Sequence, residues 1–196
     1  MTKAKAILFD LDGVLINSID AWYLAFKETL KHVGLRMIDK REFKENYWGQ
    51  EIEENLRRLQ MDDDAEKYCL ERYFSHIDKI RLFEGTKEVL ERARRFKVGL
   101  VTNTPKSGVS KILKQFGLEK YFDAVVTRDE VERGKPNPEI VIKACNFLGV
   151  KPKEAMVVGD TRSDVRAGRG AGSRVIGLGV DADKRIEKLS DLLELI

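Results

Sequence analysis

The sequence predicts an α/β fold, a parallel sheet with flanking helices, interrupted by an inserted all-helical lobe. Three observations predict it. From about residue 85 onward, short apolar runs alternate with segments of helical period, the rhythm of βα units in a parallel sheet. One further apolar run stands alone at residues 4–10, "AKAILFD". Between the two, residues 17–80 carry helical patterns and no convincing strand.

Taken in order, the first strand, 4–10, runs into Asp10, and Asp12 and Gly13 follow. Extended backbone would place the two aspartates on one side, where like charges repel. In "SIDAWYLAFKETLKHVG", Trp22, Phe26, Leu30 and Val33 recur at helical spacing. "DKREFKENYW", "QEIEENLRRLQ" and "DAEKYCLERYFSHIDKI" are further helices, with Asp39 and Asp62 as caps. The alternation then begins. Helix "GTKEVLERARRF" precedes strand 97–103, and helix "KSGVSKILKQFG" precedes strand 122–127. Helix "NPEIVIKACNFLG" precedes strand 155–160, helix "SDVRAGRGAG" precedes strand "SRVIGLG", and the chain closes with "KRIEKLSDLLELI". The division is a core of 1–15 and 83–196 with a helical lobe of 16–82.

Composition excludes several functions. Hydrophobic residues are 42% and charged residues 35%, the balance of a globular protein rather than a membrane-spanning one. No apolar run approaches the ~18 residues of a membrane span, and "MTKAKAILFD" lacks a signal peptide, so the expected location is cytoplasmic. The charges are mixed in sign, without a basic stripe interleaved with aromatics, which argues against nucleic acid. "RARRFK" reads as the basic last turn of a helix. Cys69 and Cys145 lack metal-ligand spacing, and His32 and His76 are the only histidines. A zinc site or histidine triad has little to draw on, so chemistry falls to carboxylates, lysines and hydroxyls.

Ligands of an open parallel sheet bind beyond the carboxyl ends of its strands. Those ends carry Asp10 and Asp12, then Thr102 and Asn103, then Lys135 after the strand at 122–127, then Asp160 with Asp164 four residues on. Each piece has a plain structural explanation: "LDGV" as a turn, "VTNTPKSG" as a helix start, Lys135 as a solvated loop residue, "GDTRSD" as a cap. Their convergence on one sheet edge is the informative feature. Asp10, Asp12, Asp160 and Asp164 together call for a cation, and oxygen ligands suit Mg2+. A carboxylate can then attack phosphorus while a second moves protons, with Lys135, Thr102, Asn103 and helix-start amides holding phosphate oxygens.

With "DLDGVL", "TN", "KP" and "GDTRSD" in this order, the chain resembles the haloacid dehalogenase-like hydrolase superfamily along essentially its whole length. "INS" after the first motif and "FEG" at the return resemble its phosphoglycolate phosphatase-like branch, with Asn17, Ser18, Phe83 and Gly85 in the hinge region. The resemblance implies a Rossmann-like core with an α-helical cap that closes over the site. It implies a Mg2+-dependent phosphoric monoester hydrolase that forms an aspartyl-phosphate. Asp10 would be the nucleophile. Asp12 would be the general acid/base, its backbone carbonyl also binding metal. Thr102 and Asn103 would bind phosphate, Lys135 would stabilise nucleophile and phosphate, and Asp160 and Asp164 would serve the metal. The cap would choose the substrate, with Tyr47, Trp48, Gly49 and Gln50 as candidates. Arg57 and Arg58 read as solvated. The expected partner is a small phosphorylated metabolite, and the expected state is a monomer or weak dimer. Alternatives are a pyrophosphatase, a sugar phosphomutase, or a non-catalytic phosphate- or partner-binding protein on this fold. "WGQE" offers no lysine or histidine for a mutase, and Asp12 argues against dehalogenation.

Overall fold

The computed structural model describes residues 4–50 and 52–196. Residues 1–3 of the leading segment and Glu51 of the expected helix 50–60 lie outside the described residues. The chain forms two compact units, Leu82–Ile196 with the N-terminal segment up to Ile16, and Asn17–Arg81.

In the first unit, strand β1 (Ala6–Phe9) is wholly buried. Burying Ile7, Leu8 and Phe9 is worth roughly 1.5–3 kcal/mol each. It leads into a turn in which the Gly13 amide donates to the Ile16 carbonyl at 2.8 Å and the Leu15 amide to the Leu11 carbonyl at 3.0 Å. Two residues follow as β2 (Ile16–Asn17), pairing with β3 (Arg81–Leu82) where the chain returns. At that return the Thr86 hydroxyl donates to the Leu15 carbonyl at 2.9 Å.

The second unit holds α1 (Ile19–His32), α2 (Lys40–Asn46), α3 (Ile52–Arg58) and α4 (Asp63–Ser75). Asp39 and Asp62 cap α2 and α4 through the amides of Glu42 and Ala65, as their positions before helical runs predict. The final expected helix is shorter than its pattern: α4 stops at Ser75 and Ile77–Lys79 forms a 3-10 turn. Aromatic packing fills the unit, with Trp22 stacked on Tyr73 at 3.9 Å and Phe26 against Tyr47 at 4.8 Å.

The alternating region supplies α5 (Thr86–Ala93), β4 (Lys97–Val101), α6 (Lys106–Phe116), β5 (Ala124–Val126), α7 (Glu139–Leu148), β6 (Ala155–Gly159), α8 (Arg162–Ala171) and β7 (Arg174–Leu178). The closing segment adds a strand, β8 (Lys184–Ile186), and a 3-10 turn over Leu189–Glu194. Strand order is β5-β4-β1-β6-β7-β8, and every neighbouring pair is parallel. β1 lies between β4 and β6, at the point where strand order reverses. A crevice opens at such a switch point beyond the carboxyl ends.

Candidate active site

The sheet's own hydrogen bonds carry the key residues just past its strand ends. The Asp10 amide donates to Val158 at 2.9 Å, continuing the β1–β6 ladder, and the Thr102 amide donates to Val126 at 3.1 Å, continuing β4–β5. Both side chains therefore start from rigid backbone. Asp10 is 5% exposed, Thr102 1%, Lys135 3% and Asp164 0%.

Lys135 is the hub. Its Nζ lies 2.7 Å from Asp10 Oδ1 and 2.6 Å from Asp164 Oδ1, and donates to the Val101 carbonyl at 3.2 Å. The loop that carries it is clamped by Asn103. Asn103 Nδ2 donates to the Lys135 carbonyl at 2.9 Å, and its Oδ1 accepts the Lys135 amide at 2.8 Å. Lys135 is thus not the solvated loop residue that its position alone permits. Asp164 is held from its other side, where Oδ2 accepts the Thr161 amide at 3.0 Å and the Thr161 hydroxyl at 2.5 Å.

Carboxylate oxygens of Asp10, Asp160 and Asp164 lie within 4.8 Å of one another. Close backbone approach makes room for them. A Cβ on Gly13, whose φ is +84°, would sit 2.0 Å from Asp160 Oδ2, and one on Gly159 would sit 2.2 Å from Asp164 Cβ. "LDGV" is therefore a turn and part of the site at once. Burial pushes the Asp10 carboxyl well above its usual range; Lys135 opposes this, and Asp164, Asp160 and Asp12 add to it. Burial also disfavours the Lys135 charge, but Asp10 and Asp164 outweigh it and hold the ammonium protonated. One ammonium among these carboxylates leaves the cluster negative, and its donors are all oxygen. That set suits a hard divalent cation.

The Asp12 carboxylate is not in this group. It accepts a hydrogen bond from Thr104 Oγ1 at 2.7 Å. Thr104 was not among the expected site residues, because a threonine before a proline at a helix start reads as a cap. The helix-start amides are also less available to an anion than the sequence implies: the Lys106 amide donates to Asp129 Oδ1 at 3.0 Å. Asp129 is itself held by the Thr127 hydroxyl at 2.6 Å.

The cap candidates lie in the helical unit. Tyr47 and Trp48 pack on Phe43, and the Arg58 guanidinium lies 5.2 Å from the Tyr47 ring centre. Gly49 has φ +80°, and exposed Gln50 accepts from Arg58 at 3.0 Å. Asn55, which no sequence motif singles out, is 2% exposed and donates to the Tyr47 carbonyl at 2.8 Å. No helix of the described residues is long and apolar enough to cross a membrane.

The sequence matches the haloacid dehalogenase-like hydrolase family over residues 7–178. It is similar to pyrophosphatase PpaX of Bacillus mycoides, 31% identical over 99% of this chain and 97% of that protein. Among solved structures, CbbY from Rhodobacter sphaeroides in complex with phosphate is similar at TM-score 0.84 and 26% identity, with 96% of each chain covered. A CbbY variant in complex with xylulose-(1,5)bisphosphate matches at TM-score 0.83 and 25% identity, again over 96% of each chain. A predicted phosphoglycolate phosphatase from Haemophilus somnus matches at TM-score 0.81 and 26% identity, covering 100% of this chain and 99% of that one. With its Asp-rich edge on a six-stranded parallel sheet, the chain belongs to the haloacid dehalogenase-like hydrolases.

Proposed function

We propose that the protein is a Mg2+-dependent phosphatase that hydrolyses a small phosphorylated metabolite through an aspartyl-phosphate on Asp10. The observation that carries this reading is the division of the aspartates. Asp10 shares a buried lysine and an acidic cluster, while Asp12, two residues on, is held apart from that cluster by Thr104. On this reading one carboxylate attacks and the other moves protons. We assign the unit containing the sheet as the catalytic core and Asn17–Arg81 as the cap.

Asp10 and Asp160 would hold the metal most directly. Both oxygens of Asp164 already accept hydrogen bonds, so its part is to fix Lys135 as well as to add negative charge. When bound, Mg2+ neutralises charge that builds on the phosphoryl oxygens. The chain's own groups do the rest. Asp10 forms a bond to phosphorus as the bond to the leaving oxygen breaks. Asp12 gives that oxygen its proton, then takes one from the water that attacks phosphorus and frees Asp10. Lys135 offsets charge on Asp10 and on the phosphate, and Thr102 and Asn103 line the phosphate side. Of the cap candidates, Tyr47 and Trp48 have their rings committed to packing on Phe43.

Pyrophosphate is the second reading, supported by similarity to PpaX along nearly the full chain. A panel containing pyrophosphate, phosphoglycolate, sugar phosphates and an aryl phosphate separates the two. Hydrolysis is expected with Mg2+ and not with chelator, and Asp10→Asn should lower kcat on the order of 10^5-fold. Turnover that persists in chelator or in Asp10→Asn would sink the mechanism. No turnover anywhere in the panel with Mg2+ present would favour a non-catalytic binder.

A further inference from the structure

We propose that Thr104 is a positioning residue that holds Asp12 in the orientation required for proton transfer to and from the reacting oxygens; this rests on the reading of Asp12 as the acid/base. Asp12 sits in a turn beyond β1 and is only half-buried, so its own backbone does little to choose a rotamer. Thr104 is the opposite kind of residue. It is 3% exposed, branched at Cβ, followed by Pro105, and its amide donates to Thr102 Oγ1 at 3.0 Å. Its hydroxyl reaches Asp12 Oδ2 at 2.7 Å across 92 residues of sequence.

The structural use open to this hydroxyl is not taken. α6 begins at Lys106 with Pro105 in the cap position and no side-chain cap, and the Lys106 amide is served by Asp129. The buried hydroxyl is directed at Asp12 instead. Hydroxyl chemistry suits the task. It donates to a carboxylate and accepts from a carboxylic acid, so the contact survives both protonation states of the cycle. In the first step the phosphorus–leaving-group bond breaks with its electron pair on the leaving oxygen, which takes the Asp12 proton as Asp10 bonds to phosphorus. In the second, water attacks phosphorus, its proton returns to Asp12, and the Asp10–phosphorus bond breaks to release inorganic phosphate.

Help from an acid matters most for a poor leaving group. The test compares Thr104→Val and Thr104→Ser with wild type and Asp12→Asn on 4-nitrophenyl phosphate and on a simple alkyl phosphate, by single-turnover release of the alcohol with Mg2+. Thr104→Val should slow alkyl alcohol release by about 10- to 100-fold with KM nearly unchanged. It should slow 4-nitrophenolate release far less, and Thr104→Ser should restore the alkyl rate. Thermal midpoints of the two variants show that both are folded. Equal losses on both substrates, or no rescue by serine, would overturn the inference and make Thr104 structural. If Asp12→Asn is selective for the alkyl substrate while Thr104→Val is not, this inference alone fails. If Asp12→Asn shows no selectivity, the acid/base reading of Asp12 fails and takes this inference with it.

Discussion

The sheet edge and the helical unit treat charge in opposite ways. At the edge, Asp10, Lys135 and Asp164 are buried and tied together at 2.6 to 2.7 Å. Among the described residues of Asn17–Arg81, the buried polar side chains are Ser18, Thr29 and Asn55, and none is charged. The ion pairs of that unit stay at the surface: Glu28, which joins Arg72 and His76, keeps 34% of its side chain exposed. Burying charge is expensive unless it is paired. Among the described residues the buried charge is gathered at one sheet edge, while the other unit is built from packed rings.

The largest effect should come from breaking the buried hub. Lys135→Ala leaves Asp10 and Asp164 buried against each other without their cation. Loss of one partner from a buried pair costs about 3–5 kcal/mol, readable by denaturant unfolding. A cation held at Asp10 and Asp160 would replace part of the missing charge, so saturating Mg2+ should narrow the deficit. A loss below about 1 kcal/mol, as for an exposed pair, would erase the contrast between the two regions.

A smaller and more local effect is expected at Gly13. Alanine there meets Asp160 Oδ2 and must adopt φ near +84°. The side chain that yields is Asp160, so Mg2+ affinity should fall by about 10- to 100-fold, as when metal-site support is lost, while the fold survives. Calorimetric titration with Mg2+ reads this directly, and unchanged affinity would remove Asp160 from the metal site.

The smallest effect belongs to the helical unit. Burial works to raise the Glu28 carboxyl, but hydrogen bonds from Arg72 and His76 outweigh it and hold it below its ordinary range. A depressed carboxylate contributes stability that is fully present above its unfolded pKa, near 4.5, and is lost as pH falls through the lower folded value. Solvent screening keeps the contribution under about 1 kcal/mol. Glu28→Gln should therefore lower the thermal midpoint slightly at pH 7, and the difference should vanish well below pH 4.5. A difference that grew in acid would contradict the sign.

Much of this was legible in the sequence, because it rests on local pattern. Ala6–Phe9 announces a buried strand, Asp39 and Asp62 announce helix starts, and the motif residues announce strand ends. What was hidden depends on partners far along the chain. Thr104 looks like a cap until Asp12 is found beside it, and Asp129 looks like a turn residue until it is seen holding the start of α6. β8 was hidden for another reason. As an edge strand with Lys184 and Arg185 exposed and only Ile186 buried, it has too little apolar surface to show a period.

In the proposed mechanism Asp10 carries the phosphoryl group. Rapid acid quench of the enzyme during turnover of a phosphate ester with Mg2+, followed by borohydride reduction and peptide mass spectrometry, tests it most directly. Reduction of the acyl phosphate is expected at Asp10 alone, and absent in chelator. Sustained turnover with Asp10 unmodified, or modification at Asp12, Asp160 or Asp164 instead, would contradict it.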